Sequence, residues 1–462
     1  MRQYHSLFIY FVCLVSAMGG LLFGYDWVVI GGAKPFYELF FGISHSPALQ
    51  GLAMSVALLG CLGGAMTAGA LADKFGRKPL LIISAAVFLL SSYATGAVNH
   101  FESFLVARFF GGIGIGMASG LSPMYIAEIA PTEIRGKLVS LNQFTIVIGI
   151  LGAQIANWQL ADPIPAAFTD MQILASWNGQ MGWRWMFWLT CFLAGVFFLL
   201  AWFIPESPRW YAMKGNFSQA RIIFSHIGGD DYAEKELANI LKDDEKAEKQ
   251  GGLRMLFSKP YRRVLTLGIV IAVFQQWCGT NVIFNYAQEI FSAAGYTLSD
   301  VLFNIVVTGV ANVLFTIVAI FVIDKLGRRA LMLIGAGGLA GIYFILGTCY
   351  FFHVSGLLMI ILVVAAIACY AMTLGPCTWV LISEIFPNRL RGLAVATCTF
   401  MLWIGSFTLT FSFPMLNAIF GSYGIFWIYS AVCVTGLVFF FRHLTETKGK
   451  SLEQLENQFT DK

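Results

Sequence analysis

Four carboxamides, Gln275, Gln276, Asn281 and Asn285, fall within residues 275–285, in the stretch Phe-Gln-Gln-Trp-Cys-Gly-Thr-Asn-Val-Ile-Phe-Asn-Tyr at 274–286. A primary amide offers two N–H donors and an acceptor oxygen. A sugar hydroxyl offers one donor and two lone pairs, so such a cluster can satisfy a neutral polyol from several sides. The surrounding apolar run, 264–287, is long enough to cross a bilayer at about 1.5 Å per residue. An unpartnered amide in hydrocarbon costs several kcal/mol, so these groups must face a watery cavity or another helix. At about 100° per residue, Gln275, Gln276 and Asn281 point three ways on a straight helix. Gly279 and Thr280 lie between them, where the helix can loosen and re-aim the amides. Two readings stand side by side: a broken helix that holds a polyol, and amide glue between membrane helices.

A second chemistry sits in the first apolar run. Asp26 is a carboxylate in mid-helix, which on insertion scales costs about 2.5–3.5 kcal/mol. It needs a partner, a proton or a task. Arg108 is the other intramembrane charge of the N-terminal half, Arg184 lying at the outer face, and the two can pair. If protonation of Asp26 releases Arg108, the pair couples protons to a conformational change; a permanent structural ion pair is the competing reading. The nine cysteines (13, 61, 191, 278, 349, 369, 377, 398, 433) all fall in expected helices, with no CxxC pair or neighbouring His cluster. They are expected to be buried free thiols. No metal site, cofactor, or paired-acid or nucleophile arrangement for catalysis is expected in the spans.

These residues must be positioned by membrane helices. The 462 residues are 58% hydrophobic and only 12% charged, against roughly a quarter charged in a soluble domain. The net charge of +4 is too small to suggest nucleic-acid binding. Apolar segments run at 7–29, 51–71, 79–97, 104–126, 139–158 and 183–204, then 264–287, 302–323, 330–352, 357–381, 393–416 and 424–441. The expected fold is all-α, with twelve transmembrane helices in two pseudo-symmetric six-helix bundles. The divisions are 1–204 for the first bundle, 205–263 for a charged helical linker, 264–442 for the second bundle and 443–462 for a tail. The first run lacks an A-x-A-like cleavage site and outlasts a signal h-region, so it is expected to be retained. On this plan 26 of the 29 lysines and arginines lie on one face, which positive-inside bias makes the cytoplasmic one, with both termini and the linker.

The halves repeat. Asp73-Lys-Phe-Gly-Arg-Lys follows the second segment and Asp324-Lys-Leu-Gly-Arg-Arg the eighth. Glu128 and Arg135-Gly136 follow the fourth, and Glu384 and Arg391-Gly392 the tenth, each Glu and Arg seven apart. Two ordered motifs recurring at offsets of 251 and 256 residues indicate duplication, the construction of many secondary transporters.

On these motifs the chain resembles the sugar porters of the major facilitator superfamily, over nearly its whole length. Further matches are Gly19-Gly-Leu-Leu-Phe-Gly-Tyr-Asp26, Arg108-x2-Gly-Gly-x-Gly-x-Gly116, Pro123-Met-Tyr-Ile-Ala-Glu128, Pro205-Glu-Ser-Pro-Arg209, Gln275-Gln276-x4-Asn281 and Gly375-Pro-x2-Trp379. Within the family it is most similar to bacterial xylose–proton symporters. The resemblance implies a mid-membrane sugar pocket at Phe23, Gln143, Gln275, Gln276, Asn281, Asn312, Gly375, Trp379 and Trp403, with Asn285 at its rim. The two tryptophans would offer flat apolar faces to the C–H patches of the ring. Asn285, Leu402 and Ser406 depart from the family pattern, which bears on which sugar is carried. Thr445 replaces the usual Pro of the tail motif. Relatives that only facilitate diffusion tend to carry Asn at the place of Asp26, so Asp favours proton symport.

The charged ends suit a gate, in which Asp73, Arg77, Glu128 and Arg135 mirror Asp324, Arg328, Glu384 and Arg391. Anchoring by positive-inside bias alone is the competing reading. The expected function is proton-coupled import of a monosaccharide by alternating access, with sugar, protons and the lipid bilayer as partners and the monomer as the working unit. The alternatives are an uncoupled facilitator, an exporter of unrelated amphiphiles, which the amide-rich seventh segment disfavours, and a transporter-like sensor, which would be expected to carry a longer tail.

Overall fold

A computed structural model describes residues 4–165, 167–245, 253–386 and 390–448. Among the described residues every regular element is a helix. The first six spans are α1 (Ser6–Phe40), α2 (Pro47–Phe75), α3 (Arg77–Ala97), α4 (Phe101–Ile129), α5 (Arg135–Leu160) and α7 (Trp183–Ala201). A short α6 (Asp170–Ala175) and a π-turn (Asn178–Gly182) precede α7. The linker supplies α8 (Pro208–Met213), α9 (Phe217–Gly228), α10 (Asp230–Glu245) and α11 (Leu253–Leu256). The second set is α12 (Lys259–Trp277), α13 (Thr280–Asn285), α14 (Ala287–Ala293), α15 (Leu298–Leu326), α16 (Arg328–Phe351), α17 (Leu357–Met372), α18 (Leu374–Glu384) and α19 (Arg391–His443).

Among the described residues, eleven helical stretches are long and apolar enough to cross a membrane. The last, α19, has 53 residues and leaves helical geometry at Gly421 (φ 66°, ψ 172°). At about 1.5 Å per residue it is more than twice the thickness of a bilayer core of about 30 Å. Divided at Gly421 it gives two spans, and the total becomes twelve.

Two departures from the expected spans have a physical cause. The first apolar run stops at 29, where the charged residues Lys34 and Glu38 lie ahead, yet α1 continues to Phe40. Lys34 Nζ and Glu38 Oε1 are 2.9 Å apart at i,i+4, so the helix carries its charges as a pair. The tenth span breaks at Thr373 (φ −124°, ψ −84°), between α17 and α18. Pro376 has no backbone N–H to donate to the Met372 carbonyl, the Thr373 N–H turns to the Tyr370 carbonyl at 3.1 Å, and the Thr373 hydroxyl takes up the Cys369 carbonyl at 2.5 Å.

The chain divides into two compact units. The first holds Met1–Trp27, Val56–Ala153 and Arg184–Glu248. Here α2 and α4 cross with their backbones in contact. A Cβ on Gly60 or Gly64 would lie 2.0 or 2.2 Å from the carbonyl oxygen of Phe109 or Ile113. A Cβ on Gly112 or Gly116 would lie 1.9 or 2.1 Å from that of Ala57 or Cys61. Small residues four apart on both helices allow this approach, and it seats Arg108 one turn before the crossing. The second unit holds Val28–Ser55, Gln154–Trp183 and Lys249–Lys462. It is built around α19, which packs on α12 and α16.

Candidate functional site

In the second unit the seventh span is broken where the amides need it to be. The segment α12 ends at Trp277, Gly279 takes a left-handed conformation (φ 89°, ψ −13°), and α13 starts at Thr280. That conformation is open to glycine and costly for a side chain bearing Cβ. The break turns three divergent amides into one chain. Asn281 Nδ2 donates to Gln276 Oε1, Gln276 Nε2 donates to Gln275 Oε1, and Gln275 Nε2 donates to the hydroxyl of Tyr370 on α17. All three amides are buried, at 8%, 4% and 7% exposure for Asn281, Gln276 and Gln275. By inventory each amide keeps a second N–H, and the ends of the chain offer Asn281 Oδ1 and the Tyr370 O–H. The relay therefore leaves aligned donors and acceptors beyond those it uses itself.

The other predicted pocket residues of this unit are spread over its helices. Asn285 (α13) and Asn312 (α15) are buried, and Asn285 Oδ1 has no hydrogen-bond partner. Gly375 (α18) lies against Tyr370, whose Cε1 would be 3.3 Å from an added Cβ. Trp403 (α19) is buried, whereas Trp379 (α18) is 40% exposed. In the first unit Phe23 is half-buried on α1, edge-to-face with Trp27 at 5.5 Å, and Gln143 is exposed on α5.

The first unit also brings together Asp26 on α1 and Arg108 on α4. Arg108 Nη1 donates to Asp26 Oδ1 at 2.6 Å, and both residues are 4% exposed. The guanidinium carbon lies 5.5 Å from the centre of the Phe187 ring. Asp26 Oδ2 is buried and accepts no hydrogen bond. Buried charges persist only when paired.

At the end of each unit that carries the linker or tail, the repeated motifs build the same cluster. In the first unit Arg77 Nε and Nη2 donate to Glu128 Oε1 at 3.2 and 2.8 Å, with Asp73 Oδ1 at 3.3 Å. In the second, Arg328 Nη2 donates to Glu384 Oε1 at 3.2 Å. The side chain of Asp324 lies outside the described residues. Arg135 bonds the Ala130 carbonyl at 3.4 Å and the Thr132 hydroxyl at 3.3 Å, and Arg391 the Phe386 carbonyl at 3.4 Å. Arg135 thereby secures the turn before its own helix.

Sequence reasoning assigned no role to Glu206 and Glu446, which complete these clusters. Glu206 accepts from the backbone N–H of Arg77 at 2.9 Å and of Ser207 at 2.7 Å. Glu446 accepts from the N–H of Arg328 and Arg329 at 2.9 and 3.0 Å. Each carboxylate caps a helix N-terminus, where orphan N–H groups and the helix dipole favour an anion. The caps fit because the preceding residues are Gly76 (φ 97°) and Gly327 (φ 86°). A Cβ there would lie 2.2 Å from Glu206 Oε2 or 2.7 Å from Glu446 Oε2. The signal was present in Pro205-Glu206 and Glu446-Thr447, six-span equivalents in the two halves. For Glu206 burial outweighs the donated hydrogen bonds and pushes the carboxyl above its usual range. For the more exposed Glu446 burial acts in the same sense, but the N–H groups of Lys448, Arg328, Arg329 and Thr447 prevail and hold it below. Tyr370, at the end of the relay, had no signal beyond being a lone phenol in an apolar span.

Residues 12–459 match the family model described as Sugar (and other) transporter. The chain is 36% identical to the D-xylose-proton symporter of Escherichia coli (strain K12), over 98% of this chain and 96% of that protein. It is also 36% identical to the arabinose-proton symporter of Bacillus subtilis (strain 168), over 98% and 95%. Among solved structures, a partially occluded inward-open conformation of the xylose transporter XylE from E. coli superposes with a TM-score of 0.84, at 34% identity over 96% of this chain and 100% of that one. The same protein bound to 6-bromo-6-deoxy-D-glucose gives 0.79, at 36% identity over 99% and 100%. Family and relatives are transporters, not enzymes. With twelve spans in the major facilitator fold, this multi-pass membrane protein belongs to the sugar transporter family.

Proposed function

We propose that the chain is a proton-coupled importer of a monosaccharide, a pentose such as xylose or a hexose, working by alternating access. It sits as a monomer in the cell (inner) membrane with both termini and the linker in the cytoplasm. Residues 1–204 and 264–442 act as the two bundles, joined by 205–263. The observation that carries the coupling is the buried Asp26–Arg108 pair, with Asp26 Oδ2 unpartnered. A proton on Asp26 neutralises the carboxylate and frees Arg108, which lowers the barrier to rearranging α1 against α4. The Gln275–Gln276–Asn281 relay holds the sugar hydroxyls, and Phe23, Gln143, Asn285, Asn312, Gly375, Trp379 and Trp403 complete the pocket. The clusters around Arg77 and Arg328 bias the cytoplasmic gate. Xylose and arabinose are the substrates in the names of two relatives, which supports a pentose.

One proton crossing 100 mV supplies about 2.3 kcal/mol, enough for roughly fifty-fold accumulation. In proteoliposomes, added sugar should alkalinise the outer medium, and labelled xylose should accumulate until a protonophore is added. Asp26→Asn should abolish both effects while sugar exchange continues. Alkalinisation retained in Asp26→Asn would refute the coupling role. Competition by a panel of monosaccharides identifies the preferred sugar.

A further inference from the structure

A second buried charge cluster lies in the second unit, and the coupling pair does not use it. Lys34 on α1 is 2% exposed. Its ammonium pairs with Glu38 Oε1 at 2.9 Å on the same helix and with Glu289 Oε1 on α14. The Tyr286 ring centre is 5.7 Å from Lys34 Nζ. The two carboxylates are unequal: the Glu38 side chain is 9% exposed and that of Glu289 22%. One bond lies within a helix; the other ties two helices together.

The backbones around this second bond are built differently. The segment α14 is fixed to its own neighbours, since Tyr286 Oη donates to the Thr410 carbonyl and Tyr350 Oη to the Ile290 carbonyl, each at 2.6 Å. The helix α1 is weak just below Lys34. Pro35 cannot donate to the Gly31 carbonyl, and Gly31 and Gly32 precede it. Glycine and proline together are where helices bend. At this point α1 touches the seventh span directly, because a Cβ on Gly31 would lie 2.8 Å from the Asn285 carbonyl oxygen. A bendable helix thus rests on a fixed one, and the charge pair closes the contact.

We propose that Lys34, Glu38 and Glu289 form a latch on the extracellular end of the transport path, in which the Lys34–Glu289 bond is broken and remade in each cycle. This rests on the orientation and alternating-access reading given above. When the end of α1 leaves α14, Glu38 travels with Lys34 and keeps the ammonium paired. Glu289, the more exposed partner, passes into water. Two carboxylates serve one ammonium because a lone Lys34–Glu289 pair would leave a bare charge on α1 at each opening, and uncompensated buried charges are strongly unfavourable.

The test is amide hydrogen exchange of the full-length protein in detergent, followed by mass spectrometry of peptides covering 28–40 and 286–294. Glu289→Gln, which loses a hydrogen bond to a charged group, should raise exchange in both peptides about 10- to 150-fold, and Lys34→Met, which leaves both carboxylates without their ammonium, at least as much. Peptides from α3 and α16 should stay unchanged and serve as the control for intact folding. If one variant unfolds, exchange rises everywhere and the other variant carries the test. The reversed pair Lys34→Glu/Glu289→Lys, which preserves the net charge, should restore slow exchange. Unchanged exchange in the single variants, or failure of the reversed pair to restore it, overturns the latch. Sugar counterflow by the unaltered protein is measured in parallel: its absence overturns the transport reading, whereas the exchange result speaks to the ion pair alone.

Discussion

Two buried polar sites, the Asp26–Arg108 pair of the first compact unit and the amide relay of the second, solve the problem of polar groups in a membrane with different chemistry. The first concentrates full charge in one contact, Arg108 to Asp26 at 2.6 Å, with one carboxylate oxygen left over. The second spreads partial charge along Asn281, Gln276, Gln275 and Tyr370, each donating to the next. A charge pair changes state when one proton arrives. An amide relay has no proton to gain near neutral pH, but can exchange its bonds for those of hydroxyls at little net difference. The division suggests that proton and sugar are read in separate places, and it can be broken by mutation. Asp26→Asn should remove accumulation and spare exchange. Gln276→Ala, which cuts the relay in its middle, should do the reverse. It removes the donor to Gln275 Oε1 and the acceptor of Asn281 Nδ2, at about 1–3 kcal/mol, so sugar affinity should fall about 10- to 100-fold by equilibrium binding while the proton-to-sugar ratio holds. A change in that ratio with affinity intact would erase the distinction.

The repeated clusters give a finer comparison, since the same motif sits in two environments. Arg77 is 4% exposed as a side chain and its partner Glu128 13%, whereas Arg328 and Glu384 are at 15% and 26%. Breaking a buried pair costs about 3–5 kcal/mol, and a hydrogen bond to a charged group in a wetter site about 1.5–3 kcal/mol. Arg77→Ala should therefore lower thermal stability more than Arg328→Ala, by roughly 2 kcal/mol on these magnitudes. Equal losses would show that the difference in burial carries no energetic weight.

How far this was legible in the sequence depended on range. Twelve spans follow from apolar runs, and the break in the seventh from Gly279 among amides. The end of α1 was misplaced because Lys34 and Glu38 look like a boundary when read one at a time. Only as a pair do they belong inside a helix. The duplicated motifs pointed to Arg77 and Arg328, but their caps lie 129 and 118 residues away. Taken singly, Glu206 and Glu446 read as solvated charges, and only their recurrence after the last span of each half signals a cap. Tyr370 is likewise 95 residues from Gln275. Residue types announce what a site can bind, whereas long-range pairings come only with the fold.

The two caps invite a pH experiment with opposite signs. Burial raises the Glu206 carboxyl above 4.5, so its folded form favours the proton; that contribution is complete below 4.5 and is lost as pH rises through the folded value. The Glu446 carboxyl is held below 4.5 by backbone N–H groups despite its burial. Its contribution is present above 4.5 and lost as pH falls through the folded value. Against Glu206→Gln, the unaltered protein should lose relative thermal stability on going from pH 4 to 7. Against Glu446→Gln it should gain. Slopes of the same sign would mean that the two caps sit in equivalent surroundings.

The smallest effect concerns a bond described only in the second cluster. Thr447 Oγ1 donates to Glu384 Oε2 at 2.7 Å, so the tail fastens the same carboxylate that Arg328 holds. In the first cluster Glu128 Oε2 is buried without a hydrogen-bond partner. Thr447→Val keeps the shape and removes the donor, at about 1 kcal/mol. Because Glu384 would then resemble Glu128, the variant should lower thermal stability slightly and make the Arg328→Ala loss larger than it is in the unaltered background. If the double variant is merely additive, the threonine acts on the tail alone, and the second cluster owes nothing to its extra bond.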